Sequence, residues 1–251
     1  MVNVLVSGAF GKMGKKVIEA CLLNSNVKAV CGVDVREDFS NPDFPVYSSF
    51  KGIKEKVDVI IDFSAPATLT SLLDYAIANG TNAVLCSTGY QKEDLDKIND
   101  ASKHIAIFRS ANMSLGANVL IEAVKRVTAL LIDFDVEIIE KHHNQKVDAP
   151  SGTALMLADA VKEIATDKFY TYGRVGKVGR REDKEIGIHA IRGGNIVGEH
   201  DVLFAGLNET VTLSHTATDR SVFAIGAVKA AIYIKDKKNG AYNMQSLISE
   251  N

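Results

Sequence analysis

Short apolar runs alternate with amphipathic stretches over the first 110 positions. Residues 2–6, 27–33, 57–63, 82–86 and 104–108 are dominated by Val, Ile, Leu, Ala and Phe, as expected of strands covered on both faces. Between them, residues 15–23 place Val17, Ile18, Cys21 and Leu22 at helical spacing. A second helix is predicted over 67–79, ended by Gly80, and a third, amphipathic one over 91–102. Residues 38–45 are polar and hold two of the four prolines, which predicts a loop. Strands alternating with helices predict a parallel sheet with helices on both sides.

The pattern changes after position 112. Residues 115–131 and 153–165 predict two more helices. Residues 136–140 alternate, with Val136 and Ile138 on one face and Glu140 next in that register. Residues 170–184 are glycine-rich and basic without an apolar period, and predict a mobile loop. Strands at 186–192, 196–204 and 209–216 follow in quick succession, which predicts a mixed or antiparallel sheet. A last helix, 221–234, carries Val222, Phe223, Ile225, Val228, Ala231 and Ile232 and can pack back on the first domain.

Composition narrows the classes of partner. The 251 residues carry a formal net charge of −2, which gives no overall attraction to nucleic acid or to an acidic membrane. No apolar run is long enough to span a bilayer, and the N-terminus shows neither a basic lead nor a cleavage site. Cys21, Cys31 and Cys86 have no metal-like spacing and suit a reducing cytoplasm. The expectation is a cytoplasmic protein with no nucleic-acid or membrane partner.

Two segments carry candidate chemistry. Gly8-Ala9-Phe10-Gly11-Lys12-Met13-Gly14 is a glycine loop between a predicted strand and a predicted helix. Such a loop lets a pyrophosphate approach the backbone and the helix N-terminus. A merely tight turn would use the same glycines. Asp34, twenty residues beyond Gly14 at the end of the second strand, adds a carboxylate suited to ribose hydroxyls. The expected architecture is therefore α/β. A Rossmann-type parallel sheet is formed by residues 1–113 plus 217–251, and a second α+β domain on a mixed sheet by residues 114–216. Hinges are expected near Met113-Ser114 and Thr216-Ala217. Asp34 favours NADH, whereas Arg36 and Lys12 can pair with the extra phosphate of NADPH, so either cofactor stays open. The turns Cys86-Ser87-Thr88-Gly89 and Ser110-Ala111-Asn112-Met113 also follow strands and are placed to meet the nicotinamide.

The second segment runs from Glu140 to Ala154 and includes His142, His143, Lys146, Ser151, Gly152 and Thr153. Imidazoles exchange protons near neutral pH, and a lysine adds positive charge. Ser151 can cap a helix whose Gly152 and Thr153 N–H groups would receive a carboxylate. Neighbouring histidines on a strand point to opposite faces and do not readily share an ion, so no metal is expected. A polar strand end before a capped helix would use the same residue types. His104, His189, His200 and His215 lack such company and are expected to be structural or surface residues.

The run Glu140-Lys141-His142-His143-Asn144-Gln145-Lys146-Val147-Asp148-Ala149-Pro150-Ser151-Gly152-Thr153-Ala154 closely resembles the signature of 4-hydroxy-tetrahydrodipicolinate reductases. The Gly8–Gly14 loop, Ala111-Asn112, Ser114, Gly116 and the tract from Ile191 to His200 resemble that family as well. The resemblance implies reduction of 4-hydroxy-tetrahydrodipicolinate to tetrahydrodipicolinate by NADH or NADPH, with loss of water, in diaminopimelate and lysine biosynthesis. It implies His142 and Lys146 as proton-transfer groups, and His143, Gly152 and Thr153 on the carboxylates of a small dicarboxylate substrate. It implies dinucleotide contacts from Gly8 through Met13, Asp34, Cys86, Ser87, Thr88 and Ser110 through Met113, and a homotetramer built through the second domain's sheet. One departure is Cys86-Ser87, where many members carry Gly-Thr. A different dehydrogenase of the same architecture and a non-catalytic nucleotide sensor are the rival readings, the first separable by a substrate panel and the second by NADH oxidation that depends on freshly made lysine-pathway substrate.

Overall fold

The computed structural model describes residues 1–36 and 43–250. Positions 38–42 of the expected loop lie outside the described residues. The chain opens with β1 (Val2–Ser7), α1 (Lys12–Leu22), β2 (Val27–Val33), β3 (Val46–Tyr47) and β4 (Val59–Asp62). A 3-10 turn (Pro66–Thr68) leads to α2 (Leu69–Asn79), β5 (Asn82–Leu85), α3 (Lys92–Ala101) and β6 (Ala106–Arg109). Then come α4 (Leu115–Leu130), β7 (Asp135–His142), α5 (Gly152–Ile164), β8 (Phe169–Tyr172), β9 (Glu185–Arg192), β10 (Gly198–Ala205) and β11 (Thr210–Ala217). The chain ends with α6 (Ser221–Ile234), β12 (Gly240–Tyr242) and α7 (Met244–Ser249). Two compact units result: Met1–Leu115 with Ser221–Asn251, and Gly116–Arg220.

The first unit is a Rossmann-like parallel sheet in the order β12-β6-β5-β4-β1-β2-β3. Strand alternation divides its core. Val4, Val6, Val59 and Ile61 face α1, α6 and α7, while Leu5, Ile60, Leu85 and Cys31 face α2 and α3. Burial on both faces explains why these strands read as continuous apolar runs. The order reverses at β1, between β2 and β4, and the glycine turn follows β1 at that point, where open α/β sheets receive ligands. Helix α2 ends on Gly80 at φ +61°, in the left-handed conformation that glycine adopts without strain.

The second unit is a mixed sheet in the order β11-β10-β7-β9-β8. β7 pairs antiparallel with β10 and parallel with β9. Helices α4 and α5 cover one face through Leu120, Val124, Leu157 and Val161, against Val136, Ile138, Ile188, Val202 and Phe204. The other face carries Glu137, Ile139, Lys141, Asp201 and Leu203 by alternation.

The segment 170–184, expected to be a mobile loop, is partly strand. Its start belongs to β8, an edge strand paired parallel with β9. Arg174 and Arg181 within it are anchored internally. Arg181 reaches Asp135 at 2.6 Å and Glu137 at 3.0 Å, and Arg174 pairs with Glu185. Four residues are too few to show a period, and the acids that fix the arginines lie on other strands.

Candidate active site

The glycine turn is closed by backbone sterics. Gly8 has φ +79°, and a Cβ added there would lie 2.7 Å from the Phe63 carbonyl oxygen. A Cβ at Gly14 would lie 2.0 Å from the Gly8 oxygen, so helix α1 docks directly on the turn. Gly11 is the N-cap of α1 and supplies no capping side chain. These features fit a dinucleotide pyrophosphate, whose oxygens would take the place of a cap. Ala9 and Gly8 are buried, Phe10, Gly11 and Met13 are half-buried, and Lys12 is exposed.

Asp34 sits at the end of β2, 7 % exposed. Its carboxylate accepts the Phe10 N–H at 2.9 Å and the Arg36 N–H at 3.0 Å. The Arg36 guanidinium adds a fork at 3.0 and 2.8 Å. Burial alone would raise the Asp34 pKa, but the Arg36 and Phe10 bonds hold it below the usual carboxylate value. Arg36 also overhangs the turn, since a Cβ on Gly11 would meet its Nη2 at 3.3 Å.

The turns after β4 and β5 meet at Asp62, a residue whose role sequence reasoning missed. Buried at the end of β4, its carboxylate accepts the Ser87 hydroxyl at 2.7 Å and the Ser64 hydroxyl at 2.5 Å. Cys86 is half-buried, and burial pushes its thiol well above the ordinary value, so it is not a reactive thiolate. Thr88 is exposed. Asn112 accepts the Ser114 N–H at 2.8 Å, which shapes the turn after Ser110 and Ala111. The Met113 side chain is 4 % exposed and lies in the core, away from any ligand on this turn.

In the second unit, β7 carries Glu140 and His142 on its buried face. His142 Nδ1 lies 2.6 Å from Glu140 Oε2. Arg192 of β9 forks onto both Glu140 oxygens at 2.7 Å each, and the Ser151 N–H binds Glu140 Oε1 at 2.9 Å. Burial would raise the Glu140 pKa, but Arg192, His142 and Ser151 hold it below normal. Burial lowers that of His142, partly offset by Glu140. Ser151 is the N-cap of α5, its hydroxyl accepting the Ala154 N–H at 3.2 Å. Gly152 is exposed, and a Cβ there would enter open space. Thr153 follows it in the first turn, half-buried.

His143 is half-buried and its Nε2 accepts from Arg220 at 3.2 Å. Lys146 lies within the turn that its N–H closes on the His143 carbonyl at 3.2 Å, and its ammonium pairs with Asp148 at 2.8 Å. The residues from His142 to Thr153 thus share one end of the sheet and the start of α5.

His200, expected to lack functional company, is instead part of this cluster. It is 4 % exposed, its Nε2 lies 3.1 Å from Ser151 Oγ, and its ring stacks edge-on against His142 at 5.2 Å. Glu140, Arg192 and Arg220 also went unassigned. The signal available was the tract 191–200, in which Arg192 and His200 bracket a glycine turn; only strand pairing brings them to His142. Among the described residues, no group of three His, Cys, Asp or Glu is gathered for a metal ion.

Residues 2–113 match the family model for dihydrodipicolinate reductase, N-terminus, and residues 116–248 match the model for its C-terminus. The 4-hydroxy-tetrahydrodipicolinate reductase of Clostridium tetani is 49% identical over 251 residues, covering 99% of this chain and 98% of that protein. The enzyme of the same name from Caldanaerobacter subterraneus is also 49% identical, covering 100% of this chain and 99% of that protein. A dipicolinate-bound dihydrodipicolinate reductase from Paenisporosarcina sp. TG-14 superposes with a TM-score of 0.82 at 25% identity, covering 99% of both chains.

Proposed function

The chain belongs to the dihydrodipicolinate reductase family, the oxidoreductases that reduce 4-hydroxy-tetrahydrodipicolinate in lysine biosynthesis, and from that premise we propose which of its residues carry the reaction. NADH or NADPH, when bound at the glycine turn, supplies the hydride. Gly8 through Met13 hold the pyrophosphate, Asp34 and Arg36 meet the adenine ribose, and Cys86, Ser87, Thr88 and the turn from Ser110 to Met113 border the nicotinamide.

The substrate ring loses its 4-hydroxyl as water, gains a hydride at C4 and takes up one proton. Hydride addition leaves negative charge on the ring. Lys146 faces that charge and supplies the proton, and His142, neutral near pH 7, takes up and passes on a proton in the same exchange. His143, Ser151, Gly152 and Thr153 orient the substrate carboxylates, and a small dicarboxylate ligand is supported by the related reductase that binds dipicolinate. The observation that carries this reading is the clustering of His142 and Lys146 beside the capped start of α5.

Replacing Lys146 or His142 by alanine should lower turnover ~100- to 10,000-fold while NADH binding and the fold persist. Near-normal turnover in both variants would refute the assignment.

Asp34 is already neutralised by the Arg36 fork, which supports use of both dinucleotides. Arg36→Ala should raise KM for NADPH more than KM for NADH. Strict NADPH dependence of the unaltered protein would overturn the role given to Asp34. Three free thiols accord with a cytoplasmic setting. Half-exposed Ile139 and Leu203, on the face of the mixed sheet opposite α4 and α5, support assembly into a homotetramer. Light scattering should then report four times the 27.1 kDa chain mass.

A further inference from the structure

We infer that Glu140, clamped by Arg192, is the positioning residue that decides which nitrogen of His142 exchanges the proton. The inference rests on the reading of His142 as a proton carrier. The two-residue period of β7 puts Glu140 and His142 on one face, and the parallel pairing of β7 with β9 sets Arg192 level with His142.

Glu140 is fully buried, and donors surround its carboxylate. Oε1 receives the Ser151 N–H at 2.9 Å and Arg192 Nη2 at 2.7 Å. Oε2 receives Arg192 Nη1 at 2.7 Å and faces His142 Nδ1 at 2.6 Å. An unprotonated Nδ1 would set lone pair against lone pair in a buried setting, which is costly. Nδ1 therefore carries the proton, and the neutral ring presents its lone pair on Nε2. Gly198 leaves room at that atom, since an added Cβ would sit 3.1 Å from Nε2.

Arg192 has a second effect. A lone buried carboxylate would hold His142 as a permanent imidazolium. A guanidinium on both oxygens offsets that charge, so the ring is oriented without being locked in its protonated form. The charged and titratable groups around His142 are Glu140 on its own strand, Lys146 on the following turn, Arg192 on β9 and His200 on β10. Burial lowers the His142 pKa, Glu140 opposes that, and Lys146 and Arg192 add to it. His200 is pushed down to about 4 by burial and by His142, so no second imidazolium forms there near neutrality.

Nitrogen-15 NMR of the histidine-labelled protein tests this, with His142 identified by the signal lost in His142→Ala. The unaltered protein should show His142 protonated on Nδ1 and bare on Nε2 at neutral pH. In Glu140→Gln, the Ser151 N–H and Arg192 Nη2 keep the amide oxygen, Arg192 Nη1 loses its acceptor, the amide N–H turns to His142, and the ring proton moves to Nε2. Its kcat should fall about 100-fold with little change in KM. The two neighbours should also shift the imidazole titration oppositely: Glu140→Gln to lower pH, Arg192→Met to higher pH. A merely structural role would produce neither the tautomer change nor the opposed shifts. A wild-type ring protonated on Nε2 overturns the proposal, and so does a Glu140→Gln protein with unchanged tautomer and kcat. The wild-type spectrum decides even if neither variant folds. Normal turnover in His142→Ala would instead sink the underlying reading of His142, an outcome the tautomer measurement cannot imitate.

Discussion

Gly198 and His200 lie on the same buried face of β10 and flank the His142 ring. A methyl group at 198 would press on Nε2, and misplacement by a few tenths of an ångström matters more to proton transfer than to folding. Gly198→Ala should cut kcat about 10-fold while the melting temperature moves by only a few degrees, as steady-state kinetics and calorimetry would reveal. His200 should contribute to acid sensitivity, beside His142 and His215, whose values burial also lowers. The folded His200 pKa of about 4 lies below the ordinary 6.5, with burial the largest cause and His142 the next. Above pH 6.5 neither state binds the proton, so the contribution is flat. As pH falls from 6.5 towards 4 the unfolded chain binds it first, and stability drops by up to about 3 kcal/mol. Asp34 and Glu140, with depressed carboxylate values, lose their contribution only at lower pH. Urea midpoints at pH 7, 6 and 5 should therefore decline, and His200→Gln should flatten the slope by about one proton.

Among the elements, α6 shows how a helix is placed by what it lacks. A Cβ at Gly226 would lie 1.7 Å from the Met113 carbonyl oxygen, so the helix approaches that turn backbone to backbone. Gly226→Ala should cost at least about 2 kcal/mol and displace the Met113 turn, read as a lower denaturation midpoint with weaker dinucleotide binding. Ser151→Ala should cost about 1 kcal/mol of stability through the lost cap, and should also disturb His200. The long periodic elements were legible in the sequence, with boundaries displaced by a few residues. α1 begins at Lys12 rather than near Lys15, because its first turn is the end of the glycine motif. β3 and β12, of 2 and 3 residues, and β8 were not legible. They are strands because a neighbouring edge pairs with them, and hydrophobic period has no room to show in so few positions.

At the scale of the molecule, the first unit is discontinuous in sequence. Its core includes Ala224, Ala227, Val228, Ala231 and Ile234 of α6, packed with β1 and α1 residues from the other end of the chain. Ending the chain at residue 220 should abolish cooperative melting of that unit and its nucleotide binding, as circular dichroism and fluorescence titration would show. What the sequence determined by itself was local and chemical. The glycine turn, the capped start of α5 and the imidazole–lysine run are encoded in contiguous residues whose conformations depend on near neighbours. What only the tertiary structure decided was the company those groups keep. Arg192 reaches Glu140 across 52 positions, and His200 reaches Ser151 across 49. Such partners are chosen by strand register and by the burial that forces every enclosed polar atom to find a mate, and neither exists until the sheet has formed.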